Sequence, residues 1–233
     1  MKVGIVVAMP QEFEAVNVAL NNYKVSHALV HSLPLSIFAY KNLNIYGIIS
    51  KIGKVASSVA TAILIKDYKC DVIINVGLCG GLNKAQVGDI IITNKSAYGD
   101  VDLTAFNYPK GQISGQPHIF ESSTNIINFQ TFLNTLNDAT IPTGLMVSSD
   151  SFINSVTKIS EIKGMYSDII GVDMEAGAIG QVCHLFATDV LYLKKVSDKA
   201  DNGAVQAFKG SLNLVEDKMP AYLLTILEYL NKI

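Results

Sequence analysis

The sequence predicts an α/β fold with a mixed, largely parallel central sheet flanked by helices. Short runs rich in Val and Ile, such as 2–8 (KVGIVVA) and 71–77 (DVIINVG), are typical of buried strands. Helical segments, including the small-residue run 54–66, alternate with such strands, and this alternation favours a parallel sheet. A length of 233 residues suits one large core, so we expect residues 1–233 to form a single domain.

The first half of the chain begins with the strand at 2–8. Pro10 fits the first turn of a helix, which we expect to end near residue 21. Gly53 precedes the helix at 54–66. Apolar or alternating runs bounded by turn residues predict the remaining strands of this half, at 25–31, 35–40, 43–50, 71–77 and 88–93.

The second half opens with a long segment, 97–119, that has no clear periodicity. Loops of this length are usually functional or form interfaces. Pro220 should kink or split the last helix, which begins near residue 206. Between these two features the predicted helices are 123–136, 156–165 and 175–186, and the predicted strands are 143–148, 168–173 and 189–195.

The composition excludes several classes of partner. A net charge of −2 and an isoelectric point of about 6.1 argue against a nucleic acid or an anionic membrane. No apolar run approaches the roughly 20 residues that cross a bilayer, and no signal peptide is recognisable. Three cysteines without CxxC spacing favour a reducing cytoplasm. The low charged fraction of 16% suggests that part of the surface is buried against another subunit.

The motifs of metal and nucleotide cofactors are missing from the sequence. The four histidines form neither HxH nor HExxH, and GxGxxG and Walker A loops do not occur, so we expect no metal and no cofactor. All 18 basic residues are lysine. Arginine is the preferred bidentate ligand of phosphate, so this chain lacks the guanidinium groups from which many phosphate sites are built.

Acidic side chains stand after several predicted strands. Ligands in such sheets bind beyond the carboxyl ends of strands, which gathers separated positions into one place. Two carboxylates beside an aromatic side chain suit cleavage of a glycosidic bond, because one protonates the leaving group and the other activates water. Taken singly, each acid could instead satisfy free N–H groups at a helix start. The residues gathered are Glu12, Asp150, Phe152, Asp173, Glu175 and Asp198.

Eight short motifs, in this order, carry a family resemblance. They are KVGIVVAMPQE (2–12), SKIGKV (50–55), CDVIINVG (70–77), VGDIIIT (87–93), DVDLTAFNYPKGQ (100–112), SSDSFI (148–153), VDMEAGAI (172–179) and VSDKAD (196–201). Together they resemble the 5′-methylthioadenosine/S-adenosylhomocysteine nucleosidases of the nucleoside phosphorylase superfamily, from residue 2 to about residue 229. The resemblance implies a cytoplasmic, homodimeric N-glycosyl hydrolase of methionine salvage that binds a small nucleoside and releases adenine.

The resemblance also implies the two catalytic groups. Glu12 would be the base that activates water. Asp198 would be the acid that protonates adenine N7, and Ser197 beside it would orient the carboxyl group.

The remaining roles implied by the resemblance concern substrate binding. Glu175 would hold the ribose 2′- and 3′-hydroxyls, while Asp173 is more readily explained as a structural residue. Phe152 would stack on adenine, and the Ile153 backbone would bind its Watson–Crick edge. Met174 would pack on the sugar. Further contacts would come from the main chain of Gly80, from Met9, Phe106 and Phe208 around an apolar 5′ pocket, and from Leu103 and Tyr108 across a dimer interface.

Four positions depart from the family pattern. Leu78 stands where the family usually has Ser, and Lys194 where it usually has Arg, and both family residues help to position the attacking water. We therefore expect Leu78 and Lys194 to face the water site. Gly99 replaces a common His, and Asp173 shortens a common Glu.

Two other functions remain compatible with the sequence. One is a phosphorylase that uses phosphate as the nucleophile, and the other is a catalytically weak nucleoside-binding protein on the same fold. The sequence does not rank 5′-methylthioadenosine, S-adenosylhomocysteine and other 5′-substituted adenosines as substrates.

Overall fold

The computed structural model describes residues 1–122, 128–136, 141–212 and 218–233. Its strands are β1 Lys2–Val7, β2 Lys24–Val30, β3 Leu33–Tyr40, β4 Leu43–Ile49, β5 Val72–Gly81, β6 Ile90–Thr93, β7 Lys95–Tyr98, β8 Phe120–Glu121, β9 Leu145–Ser148, β10 Ile169–Asp173 and β11 Asp189–Asp198. Its α-helices are α1 Pro10–Leu20, α2 Lys54–Lys66, α3 Phe129–Thr135, α4 Val156–Met165, α5 Ala176–Leu185, α6 Ala204–Ser211 and α7 Met219–Leu230.

All of these strands belong to one mixed sheet. Its main path is β2-β3-β4-β1-β5-β10-β9-β7-β8, and β11 pairs with both β5 and β6. The pairs β1–β4, β1–β5, β5–β11, β9–β10 and β7–β9 are parallel. Antiparallel pairs join β2, β3 and β4 at one side, join β5 to β10 in the centre, and add β6 and β8 elsewhere. The predicted fold class is confirmed.

Strand β5 is the centre of the sheet, and all ten of its residues are buried. Its first half, Val72–Asn75, pairs with β1, whereas Gly80 and Gly81 pair with β10. On its other side β5 pairs with β11 along almost its whole length. The ends of β10 and β11 are therefore brought next to Gly80, where the site is built.

Two apolar cores lie on opposite faces of the sheet. Alternate residues of a strand point to opposite faces, so Val72, Ile74 and Val76 of β5 enter one core and Ile73 enters the other. The first core contains α1 and α7, and the second contains α2 and α5. The helices thus flank the sheet on both faces, as the alternating sequence pattern predicts.

Most predicted elements are present, but strand β8 was not predicted, strand β5 extends to Gly81 rather than to residue 77, and two other strands differ. Strand β7 was missed, so the predicted loop at 97–119 begins only after Tyr98. Strand β11 extends to Asp198 rather than to residue 195. The last helix is divided into α6 and α7, and Pro220 lies in the first turn of α7, so the predicted kink or split is observed as a split. Part of the helix predicted at 123–136 is observed as α3, and residues 123–127 and 213–217 lie outside the described ranges.

Two further features are the length and apolar character of the helices and the state of the three cysteines. Among the described residues, no helix combines the length and the apolar character that a membrane crossing requires. Cys70, Cys79 and Cys183 are free, buried thiols. Burial raises the pKa of each, to about 12 for Cys70.

Gly180 allows α5 to pack closely against the sheet. A Cβ atom at this position would lie 2.2 Å from Ser96 Oγ and 2.7 Å from the Tyr192 hydroxyl. Those two oxygens are hydrogen-bonded to each other at 2.8 Å in the interior. A side chain here would therefore have to displace a buried polar pair.

We predict that Gly180→Ala lowers the free energy of unfolding by about 1–3 kcal/mol, because over-packing forces buried neighbours to move. Chemical denaturation measures this change. The control is Gly164→Ala in α4, where an added Cβ meets nothing within 4 Å. It should stabilise the protein by about 0.5 kcal/mol through helix propensity. Equal stability of Gly180→Ala and the unaltered protein would show that α5 can move away from the sheet.

Candidate active site

A cavity of about 370 Å³ lies at the ends of β1, β5, β10 and β11. Ten of the twelve residues predicted for the site line it: Met9, Glu12, Gly80, Phe152, Ile153, Met174, Glu175, Ser197, Asp198 and Phe208. Phe106 and Lys194 do not line it. Sequence reasoning gave no binding role to Ala8, Ile52, Cys79, Ser151 and Val172, which also line it. Ala8, Cys79 and Ser151 are each adjacent in sequence to a predicted site residue, and Ile52 and Val172 lie within the motifs SKIGKV and VDMEAGAI, which was the available signal.

Glu12 is buried in the first turn of α1. Its Oε2 accepts from the Met9 backbone N–H at 3.1 Å, so it closes the start of its own helix. Its Oε1 accepts from the Leu78 N–H at 2.7 Å, which ties α1 to β5. Gly77 makes this approach possible, because a Cβ there would lie 2.7 Å from Oε1. Burial raises the pKa of Glu12, while the positive charge of Lys194 and the two N–H donors oppose the increase.

Asp198 and Ser197 form a hydrogen-bonded pair at the end of β11. Ser197 Oγ lies 2.7 Å from Asp198 Oδ2 and 3.1 Å from the Cys79 carbonyl oxygen. The Ala200 N–H donates to Asp198 Oδ1 at 2.8 Å. A hydroxyl group both donates and accepts. Ser197 can therefore donate to an ionised Asp198, or accept from a protonated one while donating to Cys79.

Gly80 leaves room for this pair and for a ligand. A Cβ at Gly80 would lie 3.1 Å from Asp198 Oδ1 and 3.0 Å from the Ala200 side chain. The bare main chain of β5 therefore forms one wall of the cavity. This placement fits the predicted contact between Gly80 and a ligand.

Glu175 lies at the start of α5 and is 7% exposed. Its Oε1 accepts from the Gly53 N–H at 2.8 Å. Burial, reinforced by the nearby Asp173 carboxylate, raises the pKa of Glu175 to about 7. The charge of Lys194 and the Gly53 N–H both favour the ionised form and limit this increase.

Asp173 is a structural residue, as the sequence suggested. Its Oδ1 accepts from Ser148 Oγ at 2.5 Å and from the Ala176 N–H at 3.2 Å, so it caps α5. Its Oδ2 lies 2.9 Å from the Lys194 ammonium, and only 2% of each of the two side chains is exposed.

Lys194 was expected to face the water site with Leu78, and the structure places it differently. Leu78 does line the cavity, but the Lys194 ammonium lies against Asp173 behind the lining. Burial disfavours its charge, yet the combined attraction of Asp173, Glu175 and Glu12 outweighs that effect and raises its pKa. The register of β11 decides this direction, and the sequence did not reveal that register.

Gly99 is confined by its neighbours. A Cβ there would lie 2.9 Å from both Ser149 Oγ and Val147 Cγ1. The local packing of this chain thus has no room for a larger side chain without rearrangement.

An aromatic pair forms an apolar wall of the cavity, in contrast to the acidic side chains described above. Phe152 and Phe208 meet edge to face, with ring centroids 5.6 Å apart. Phe152 is 37% exposed and can present its ring to a planar ligand. Ile153 is buried beside it.

The site has the chemical features of a pocket for a ligand with one apolar or aromatic part and one hydroxylated part. Its carboxylates can accept from hydroxyls or exchange protons, and its aromatic side chains can stack. The described part of the chain holds no group of three or more His, Cys, Asp or Glu side chains that could bind a metal ion.

Three comparisons with known proteins agree with this geometry. The phosphorylase superfamily model matches residues 2–228. The 5′-methylthioadenosine/S-adenosylhomocysteine nucleosidase of Buchnera aphidicola subsp. Schizaphis graminum is 39% identical over 219 residues, covering 94% of this chain and 92% of the relative.

Solved structures give the same result. The 5′-methylthioadenosine/S-adenosylhomocysteine nucleosidase of Streptococcus pneumoniae, solved with the transition-state inhibitor MT-ImmA, has a TM-score of 0.86 and 31% identity and covers 99% of each chain. The enzyme of Neisseria meningitidis, solved with methylthio-immucillin-A, has a TM-score of 0.86 and 33% identity, covering 96% of this chain and 98% of its own. The resemblance carried by the eight motifs is thereby confirmed: the chain belongs to the phosphorylase superfamily and, within it, to the 5′-methylthioadenosine/S-adenosylhomocysteine nucleosidases.

Proposed function

We propose that this protein hydrolyses the N-glycosidic bond of 5′-methylthioadenosine, S-adenosylhomocysteine or related 5′-substituted adenosines and releases adenine. The observation that carries the proposal is the convergence of two buried acids, Glu12 and Asp198, on one cavity with an aromatic wall. In this reaction the bond between C1′ and adenine N9 breaks, and a bond between C1′ and a water oxygen forms. One acid gives a proton to the base, and the other takes a proton from the water.

Asp198 is the proton donor in this mechanism. Its proton passes to adenine N7, so that adenine leaves as a neutral molecule. Ser197 supports both stages, because it accepts from the protonated acid before transfer and donates to the carboxylate afterwards. The Ala200 N–H stabilises the carboxylate that remains.

Glu12 is the proton acceptor. The Met9 and Leu78 N–H groups fix its carboxylate, so the group does not need to reorient during the reaction. A raised pKa makes Glu12 a stronger base than an exposed glutamate, while nearby Lys194 favours the ionised form that the reaction requires. The proton that Glu12 gains and the proton that Asp198 loses are exchanged with solvent after the products leave.

The other lining residues bind the substrate. Gly53 engages Glu175 Oε1, and we assign Oε2 to the ribose 2′- and 3′-hydroxyls. Phe152 stacks on adenine, and the Ile153 backbone binds its Watson–Crick edge. Met174 packs on the ribose, and Met9 and Phe208 surround the 5′ substituent.

The first prediction concerns the nucleophile. Leu78 offers no side-chain hydrogen bond in the cavity, and the chain has no arginine to bind phosphate. We expect adenine release from 5′-methylthioadenosine at the same rate with and without phosphate, and 5-methylthioribose rather than its 1-phosphate as the other product. The same assay with S-adenosylhomocysteine and 5′-deoxyadenosine ranks the substrates. A requirement for phosphate would establish the phosphorylase alternative.

The second prediction concerns the acid and the base. Asp198→Asn and Glu12→Gln keep shape but remove proton transfer, so each should reduce turnover by roughly 10²–10⁴-fold. Equilibrium binding of 5′-methylthioadenosine should survive in Glu12→Gln. The control is Glu14→Gln. Glu14 is an exposed residue of the same helix, and its only described hydrogen bond is accepted from the Asn17 side chain. If all three variants bind nucleoside and none, including the unaltered protein, releases adenine, the chain is a nucleoside-binding protein.

The third prediction concerns a homodimer, which we propose on the basis of exposed apolar side chains. Ile52, which precedes α2, lines the cavity and is 54% exposed, and Val55 in the first turn of α2 is 78% exposed. Phe106 is exposed and lies outside the cavity of its own chain, as expected for a residue lent to a partner. Sedimentation velocity should give twice the 25.1 kDa mass of the chain. Val55→Lys should yield a monomer. The control is Val25→Lys, at another exposed apolar position on edge strand β2, which should leave the dimer intact. A monomeric unaltered protein would refute the proposal.

A further inference from the structure

Three charged residues form a cluster beside the cavity, and no role in the proposed reaction has so far been given to them. They are Lys54 at the start of α2, Asp100 after β7, and Asp150 after β9, and we call them the Lys54 cluster. The Lys54 ammonium lies 2.8 and 2.9 Å from the two Asp100 oxygens and 3.5 Å from Asp150 Oδ2. It also lies 5.2 Å from the centre of the Tyr98 ring.

The backbone joins the cluster as well. The Asp150 N–H donates to Asp100 Oδ2 at 2.8 Å, and the Lys54 N–H donates to Asp150 Oδ1 at 3.1 Å. Asp100 and Asp150 each lie two residues beyond parallel, paired strands, with Tyr98 opposite Ser148. The sheet therefore presents both carboxylates at the same edge, facing the start of α2.

The cluster is adjacent in sequence to both halves of the substrate site. Asp150 is followed by Ser151, Phe152 and Ile153, all of which line the cavity. Lys54 is preceded by Gly53, whose N–H holds Glu175. Gly53 has a φ of +102°, a conformation that glycine adopts without strain. The free N–H groups at the start of α2 thus bind two carboxylates, those of Glu175 and Asp150.

We propose that the Lys54 cluster is a positioning device for substrate binding, which fixes the Phe152–Ile153 segment and the Gly53 N–H relative to Glu175. Asp100 is its central member, because it accepts from both Lys54 and the Asp150 backbone. This inference rests on the proposed function for its kinetic test. An isolated surface ion pair contributes little to stability, but Lys54 is only 19% exposed and takes part in a network. Because the network joins residues that adjoin the cavity lining, its loss should affect substrate binding as well as stability.

The kinetic test is Asp100→Asn, which keeps the shape of the side chain and weakens its bonds to Lys54. We expect KM for 5′-methylthioadenosine to rise about tenfold, the size typical of a lost hydrogen bond to a charged group, while kcat changes less than about threefold. Lys54→Met should do the same, and Lys54→Arg should restore part of the loss. The matched controls are Glu121→Gln and Lys95→Met, which break the exposed ion pair between Lys95 and Glu121. A KM of Asp100→Asn equal to those of the controls would overturn the proposal.

A second measurement distinguishes a positioning role of the Lys54 cluster from a general loss of local structure. The charged groups that face Glu175 are Asp173 on β10, Lys194 on β11 and Glu12 on α1, and the Gly53 N–H favours its ionised form. Loss of the Gly53 hydrogen bond would raise the pKa of Glu175 above its value of about 7. Removing the negative charge of Asp100 would by itself act in the opposite direction. The sign of the shift therefore identifies the cause.

The measurement is the pH dependence of 5′-methylthioadenosine binding in a Glu12→Gln background, where hydrolysis and the titration of Glu12 are both removed. We expect the loss of affinity on acidification to occur at higher pH when Asp100→Asn is added. No shift, or a shift to lower pH, would refute the link through Gly53. If the unaltered protein releases no adenine, the proposed function fails, but this binding measurement still decides the role of the cluster.

Discussion

The buried ion pair between Lys194 and Asp173 is the interaction on which the site depends. Removing one member of such a pair leaves an uncompensated buried charge, which typically costs about 3–5 kcal/mol. Asp173 does more than neutralise Lys194, because it also caps α5 through the Ala176 N–H. The position of the ammonium therefore determines where α5 begins. Glu175, the residue immediately before that helix, is placed by the same contact.

Lys194 also offsets the repulsion between the carboxylates around it, those of Asp173, Glu175 and Glu12. Glu175 has a folded pKa of about 7, above the 4.5 expected for the unfolded chain. A carboxyl group whose pKa is higher in the folded protein makes its full contribution to stability below pH 4.5, where it is protonated in both the folded and the unfolded state. That contribution is lost as the pH rises through about 7. Ionisation of Glu175 therefore lowers the stability of the unliganded protein at the pH where the proposed ribose contact needs the ionised carboxylate. Ribose hydroxyls that donate to Glu175 would offset this penalty on binding.

The sequence predicted the parts of the fold that depend on local pattern. Buried runs such as 71–77 and the proline at the start of α1 have a recognisable composition, and both elements were found where expected. Strand β7 was missed because Ser96 is polar, and its burial depends on a hydrogen bond to Tyr192 that is distant in sequence. Similarly, the carboxylates at strand ends could be gathered by a general rule, whereas the direction of Lys194 depends on the register of β11.

The irregularity near the end of β11 shows why register matters for chemistry. Val196 lies opposite Cys79 and Asp198 opposite Gly80, so Ser197 is an extra residue in the ladder. In a regular strand, neighbouring side chains point to opposite faces, and only one of Ser197 and Asp198 could line the cavity. A bulge interrupts this alternation. Both side chains line the cavity as a result, and the hydroxyl of Ser197 reaches the carboxylate beside it. The acid and the group that orients it can therefore be consecutive in sequence and still line the same cavity.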